Sequence, residues 1–192
     1  MITDLDEIKR LTNERHDEFE VMRYTLEINE DIISDDDLDV FVDQLAAPII
    51  DGIDCTACGN CCRSLDVYLE ENDAQRLATG IDVSLESILT GYVDREGGAE
   101  YGEWGKFSAS PCAFLKGNLC SVYEHRPEAC RAYPAFTPYF RWSLEDTLEG
   151  AALCPIIYNL LDALTREIDG LYQRERPASL PSNNSIAIDD VI

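Results

Sequence analysis

The stretch Cys55-Thr56-Ala57-Cys58-Gly59-Asn60-Cys61-Cys62 places four of the chain's eight cysteines within eight residues, in the spacing C-x2-C-x2-C-C. The remaining four, Cys112, Cys120, Cys130 and Cys154, are spread over the following ninety-odd positions. A thiolate is a soft ligand that suits zinc or an iron–sulfur cluster. C-x2-C is the spacing at which a tight backbone turn lets two sulfurs reach one metal. All eight cysteines are therefore candidate metal ligands, and a chain that concentrates half its thiols in one loop is most simply read as gripping a metal there.

Cys55, Cys58 and Cys61 also follow the run that supplies three ligands of a four-iron cluster in bacterial ferredoxins, where a distant cysteine followed by proline completes a cluster. Cys154-Pro155 has that local form. Cys61 and Cys62 complicate the picture, because adjacent side chains diverge by about 100° in a helix and about 180° in a strand. Serving two metals is easier for them than sharing one ion. Eight thiols could build two tetrahedral sites, or one four-ligand cluster with four thiols left over, and the spacing leaves both open. Arg63, Arg126 and Arg131 lie beside the cysteines in a chain with few basic residues. They can offset the charge of about -2 on a four-thiolate centre and depress thiol pKa values, or they can pair with the abundant acids.

Composition bounds the rest. At 192 residues the chain suits one domain with appendages, long enough to bury about 70% of its unfolded surface, so size alone does not call for cross-links. Thirty-eight acidic residues against fifteen basic ones give a net charge of -23. Phosphate binding depends on Lys and Arg displacing counterions, so nucleic acid and an anionic membrane surface are not expected partners. A basic protein is a partner that such a surface could attract. Met1 to Glu7 contain neither a basic segment nor an apolar run, so no signal peptide is expected. A cytoplasmic location follows, and thiols kept reduced there point to a metal before disulfides.

The pattern predicts an α+β fold that is mainly helical: a single cysteine-rich metal-binding domain over 51–176 with a small β portion, an N-terminal helical extension over 1–50, and a disordered tail over 177–192. Leu5, Ile8, Leu11, Phe19, Met22 and Leu26 give one long amphipathic helix over 3–30 with Thr3 as its cap. Ser34 followed by Asp37 resembles a capping box for a helix over 35–46 that ends before Pro48. Asp35-Asp36-Asp37 is then negative charge at a helix's positive end rather than a cation site. Leu65, Val67 and Leu69 alternate as a short strand. A helix over 71–79 closes at Gly80, and Ser84 caps another. Residues 91–110 read as loops around a weak strand near 101–107. Lys116-Gly117-Asn118 is a hairpin turn that brings Cys112 and Cys120 together. A helical turn follows Pro127 and carries Cys130, and 133–145 reads as an irregular loop. Pro155 opens a helix to about Arg174, with Ile157, Leu160, Leu161, Leu164, Ile168 and Leu171 on its core face.

His125 and His16 read as ordinary turn and surface histidines rather than ligands. The aromatics from Tyr123 to Trp142 read as core or as a shield for the metal. No phosphate loop, dinucleotide fingerprint, nucleophile elbow or zinc-protease motif is present.

The string Cys55-x2-Cys58-Gly59-x-Cys61-Cys62-Arg63, then Cys112-x-Phe114-Leu115, then Cys120-x-Val122-Tyr123-x2-Arg126-Pro127-x2-Cys130-Arg131-x-Tyr133-Pro134 resembles the CxxCxxCC cysteine-cluster family, the YkgJ-like zinc- or iron-chelating domains. The resemblance implies metal ligation by the cysteines over about 55–155. Flagellin lysine N-methylases share a similar cysteine arrangement. For them an iron–sulfur cluster and methyl transfer from S-adenosylmethionine are implied, but they are much longer than this chain. Three functions are thus expected in order: a cytoplasmic protein binding an iron–sulfur cluster (four-iron) or zinc, a protein-lysine methyltransferase, and a structural metal fold acting as an interaction module.

Overall fold

The structure, a computed structural model, describes residues 1–175, with no side-chain description at 169 or 171–175. The tail expected over 177–192 lies outside the described residues, and so does the Leu171 side chain. Among the described residues the chain is mainly helical, with two small antiparallel sheets. The α+β expectation therefore holds.

Asp4, one residue after the expected Thr3, caps α1 (Leu5–Glu14) by accepting the Glu7 N–H at 2.8 Å. The long first helix is in fact two. Arg15 leaves helical geometry (φ −107°, ψ 15°) between α1 and α2 (His16–Ile28). Its guanidinium reaches Glu18 at 2.8 Å and Asp162 at 2.5 Å, and it lies over the Phe19 ring. A contact 147 residues away along the chain is thus anchored at the break, and local periodicity does not report it.

Ser34 caps α3 (Asp35–Gly52) by accepting the Asp37 N–H, as its sequence predicts. The helix does not end before Pro48 but runs four residues past it. Proline removes one helical hydrogen bond, but Ala46 and Ile49 on either side of it are buried in the main core, and their burial outweighs that loss. One face of α3 carries Asp35, Asp39 and Asp43, four residues apart and so on one side of a helix. Asp39 accepts the backbone N–H groups of Tyr139 and Phe140 at 2.7 and 2.9 Å, and Asp43 accepts the Thr137 hydroxyl at 2.9 Å. The expected irregular loop is thereby tethered to α3.

Two four-residue helices, α4 (Cys55–Cys58) and α5 (Cys61–Ser64), carry the cysteine run. The strand expected at 65–69 is reduced to β1 (Tyr68–Leu69). Then come α6 (Glu71–Ile81), α7 (Leu85–Gly91), β2 (Val93–Asp94), α8 (Arg95–Ala99) and β3 (Gly105–Phe107). Gly80 is inside α6 rather than closing it, and Asp82 (φ 55°) is the cap. A Cβ at Gly80 would stand 2.6 Å from the His125 ring, so glycine here makes room for a neighbour. Ser84 caps α7 as expected. β3 is the centre of a three-stranded sheet, with Tyr68 opposite Lys106 and Val93 opposite Phe107. The hairpin of β4 (Leu115–Lys116) and β5 (Leu119–Cys120) pairs Leu115 with Cys120, and Gly117 at φ 65° makes its turn. After α9 (Glu128–Ala132), a helix the sequence reading did not anticipate, α10 (Leu144–Gly150), precedes the expected α11 (Pro155–Glu175).

The elements bury two separate cores. The larger joins α1, α2 and α3 to α10 and α11, and includes Phe19, Leu38, Phe140, Tyr158 and Leu161, with Cys154 at its margin. The smaller lies among α6, α7 and the three-stranded sheet, around Leu69, Leu77, Ile88, Phe107 and Phe114, with Cys112 and Cys120 packed against it. The cysteine run lies where the chain passes from the first core to the second. Among the described residues no helix is long and apolar enough to cross a membrane.

Candidate metal centre

Cys55 to Cys62 are held in place by caps and turns. Asp54 accepts the Thr56 N–H at 2.9 Å to start α4. The Gly59 N–H donates to Cys55 O at 3.1 Å to close it, with Gly59 at φ 61°. That closure folds Cys55 and Cys58 onto one turn. Asn118, from the hairpin tip, donates to Ala57 O at 2.7 Å. Arg63 donates to Cys58 O at 2.8 Å and also to Gly117 O and Asn118 Oδ1. The hairpin is thus clamped to the cysteine run from both sides of Gly59.

Six cysteines, Cys55, Cys61, Cys62, Cys112, Cys120 and Cys130, line one cavity of about 160 Å³. Arg126 and Tyr133 line it too. Cys58 and Cys154 lie outside that lining, with Cys154 buried. All eight thiols are free, with no disulfide among them. Among the described residues no three Cys, His, Asp or Glu side chains meet at a single point as a ready-made cation site. The sulfurs of the six lining cysteines stand around a common space, so side-chain rotation would have to bring ligands onto a metal. His125 sits in a single turn of 3₁₀-helix (Tyr123–His125) packed on Gly80, and His16 opens α2.

The electrostatics follow from the crowding. Burial raises the Cys130 thiol to about 12, with Cys62, Cys112 and Cys120 adding to the rise and Arg126 opposing it. Burial is also the largest cause of the upward shifts at Cys55, Cys112, Cys120 and Cys154. Cys61 and Cys62 act as a hydrogen-bonded pair, which raises Cys61 and lowers Cys62; Arg63 and Arg126 assist the lowering. Among the described residues Arg63, Arg126 and Arg131 have no carboxylate partner. Arg126 stacks on the Tyr123 ring at 3.7 Å, and Arg131 donates to Arg126 O at 3.0 Å. Of the two sequence readings of these arginines, Arg63 and Arg126 follow the one that places their charge at the cysteines, whereas Arg131 is held by backbone carbonyls.

The donor set fits a soft metal. Burial favours the neutral thiol at Cys55, Cys112, Cys120, Cys130 and Cys154, and a bound cation inverts that logic by deprotonating its ligands. Metal uptake must then release protons, so affinity rises with pH.

Comparison with known proteins agrees with the donor chemistry. A model of the CxxCxxCC family, described as a "putative zinc- or iron-chelating domain", matches residues 54–155. The chain belongs to the CxxCxxCC family. The matched segment starts one residue before Cys55 and ends one residue after Cys154, so it contains all eight cysteines. No curated protein and no solved structure gives a significant match. Within this CxxCxxCC domain, Gly59 is the glycine that closes the first cysteine turn. A Cβ there would sit 3.0 Å from Asn118 O on a backbone already at positive φ. Gly59→Ala is expected to destabilise the protein by about 1–2 kcal/mol, the cost of a left-handed non-glycine residue. An unchanged urea midpoint would contradict this.

What sequence reasoning missed at the site are the two side-chain contacts that set its geometry, Asn118 on Ala57 O and Asn60 on Leu153 O. Both asparagines flank motif residues, but nothing in their spacing announces a partner.

Proposed function

We propose that this chain is a cytoplasmic metal-binding protein whose clustered cysteines hold an iron–sulfur cluster, in preference to zinc. The single observation that carries this reading is the approach of Cys154-Pro155 to the C-x2-C-x2-C run. Asn60 donates its side-chain N–H to Leu153 O at 2.8 Å, which holds the residue before Cys154 against the residue before Cys61. That tether supports a site built from the four cysteines Cys55, Cys58, Cys61 and Cys154. A cluster held there would supply electron-transfer or Lewis-acid chemistry. This chain's own residues would supply the thiolates, the partial exclusion of water by Tyr133, and the compensating charge of Arg63 and Arg126.

Purification without oxygen, followed by elemental analysis and an absorption spectrum, tests the reading. Iron and sulfide in equal amounts with a broad band near roughly 400 nm are expected, because clusters are coloured and zinc is not. A colourless protein with stoichiometric zinc overturns the cluster.

A further inference from the structure

We propose that the eight cysteines form two four-thiolate centres that share the Cys61–Cys62 peptide as a common wall. One centre comprises Cys55, Cys58, Cys61 and Cys154, and the other Cys62, Cys112, Cys120 and Cys130. The proposal rests on the metal-binding reading above and goes beyond it by dividing the ligands.

The division starts from α5, where Cys61 and Cys62 are consecutive helical residues and their side chains leave the backbone about 100° apart. Each is pinned to a different part of the chain. On the Cys61 side, the Asn60–Leu153 hydrogen bond fastens the run to the residue before Cys154. On the Cys62 side, the backbone of Cys62 itself accepts the N–H of Cys112 at 2.8 Å. These two tethers run to different parts of the family domain, one to its C-terminal end and the other to its middle.

The other members of each set follow from local structure. Cys55 and Cys58 share the α4 turn. Cys154, Cys61 and Cys55 are the cysteines whose charges reach the Tyr133 hydroxyl. Cys112 and Cys120 approach each other at the base of the hairpin, where Ser121 N–H donates to Phe114 O at 2.8 Å. Cys130 is near enough to Cys62, Cys112 and Cys120 for their charges to act on it. The two cores divide the thiols in the same way: Cys154 belongs to the larger, while Cys112 and Cys120 pack on the smaller.

Along the chain the sets interlock as three ligands plus a distant one, then one ligand plus three downstream. Cys55 and Cys61 line the same cavity as the second set, so the two centres adjoin.

Metal content of anaerobically purified wild type and of Cys154→Ser and Cys130→Ser, each by elemental analysis and native mass spectrometry, tests the division. Wild type should carry two centres per chain. Each single variant should lose one of them, about half the centres, and keep the other. Adding Cys61→Ser to Cys154→Ser should cost nothing more, and adding Cys62→Ser to Cys130→Ser likewise, whereas combining Cys154→Ser with Cys130→Ser should remove both. A wild type with one centre, or single variants that remove the same centre, overturns the division and leaves metal binding intact. A wild type with no metal overturns the reading beneath it. If a serine variant does not fold, titration of metal-free wild type with Co²⁺ decides the matter through the sulfur-to-metal charge-transfer band. Saturation at two equivalents supports two centres, and saturation at one overturns them.

Discussion

Removing the bound metal with a chelator under reducing conditions should open residues 65–125 while leaving α3 and α11 closed. Among the described residues the smaller core contains nine buried side chains, two of them alanines, against twenty-two in the larger. A segment of that size rarely supplies more than about 3–5 kcal/mol on its own. Structural zinc in small folds contributes about 10–16 kcal/mol of apparent binding energy, so even part of that exceeds what the small core can replace. The hairpin is the connection at risk. It reaches the rest of the molecule through Asn118, Arg63 and the Cys112–Cys62 hydrogen bond, all at the cysteines.

Hydrogen exchange followed by mass spectrometry should show protection of β3 and the hairpin falling by at least about 100-fold, equivalent to about 2.7 kcal/mol. Protection in α3 and α11 should change little. Equal loss throughout would mean that the two cores unfold as one, and no loss anywhere would mean that the metal is not structural.

This asymmetry is only partly legible in the sequence. The hairpin could be read because Gly117 occupies a position that needs positive φ, and α11 because Pro155 stands at a helix start with an apolar stripe behind it. Ser34 announced α3 through its own cap. These signals are local, so a pattern within ten residues contains them. The misreadings arise where a distant contact overrides the local pattern. Arg15 anchors at Asp162 where the first helix breaks, buried Ala46 and Ile49 keep α3 intact past Pro48, and Gly80 makes room for His125 instead of ending α6. The site divides along the same line. The eight cysteines were visible as residues and their chemistry followed from spacing. The approach of the Cys62 backbone to Cys112, fifty residues on, is set by a backbone hydrogen bond that no motif encodes.

The acid run at the start of α3 shows how far such a contact can reach. The sequence presents Asp35 as helix-end charge, and it does lie in the first turn, but it also meets Arg141. That side chain is only 3% exposed. Its guanidinium donates to Asp35 Oδ1 at 2.6 Å, to Ile33 O at 2.7 Å and to Leu26 O. It therefore satisfies a carbonyl near the end of α2, another in the link to α3 and the first carboxylate of α3 at once.

Replacing Arg141 with leucine should cost about 3–5 kcal/mol, because it leaves two carbonyls without their donor and takes from Asp35 its charged partner. Lysine should recover only part of this, since one ammonium cannot reproduce the planar fork. Urea denaturation at pH 7 measures both, and a loss below about 1 kcal/mol for the leucine variant would show that water replaces the guanidinium. The pH dependence gives an independent check. Arg141 and then Trp142 hold the Asp35 carboxyl below its ordinary value. Its contribution is therefore complete above the unfolded carboxylate range, near pH 4, and disappears as pH falls through the lower folded value. Wild type should lose this increment of stability on acidification, and Arg141→Leu, in which only Trp142 still donates to Asp35, should lose a smaller one.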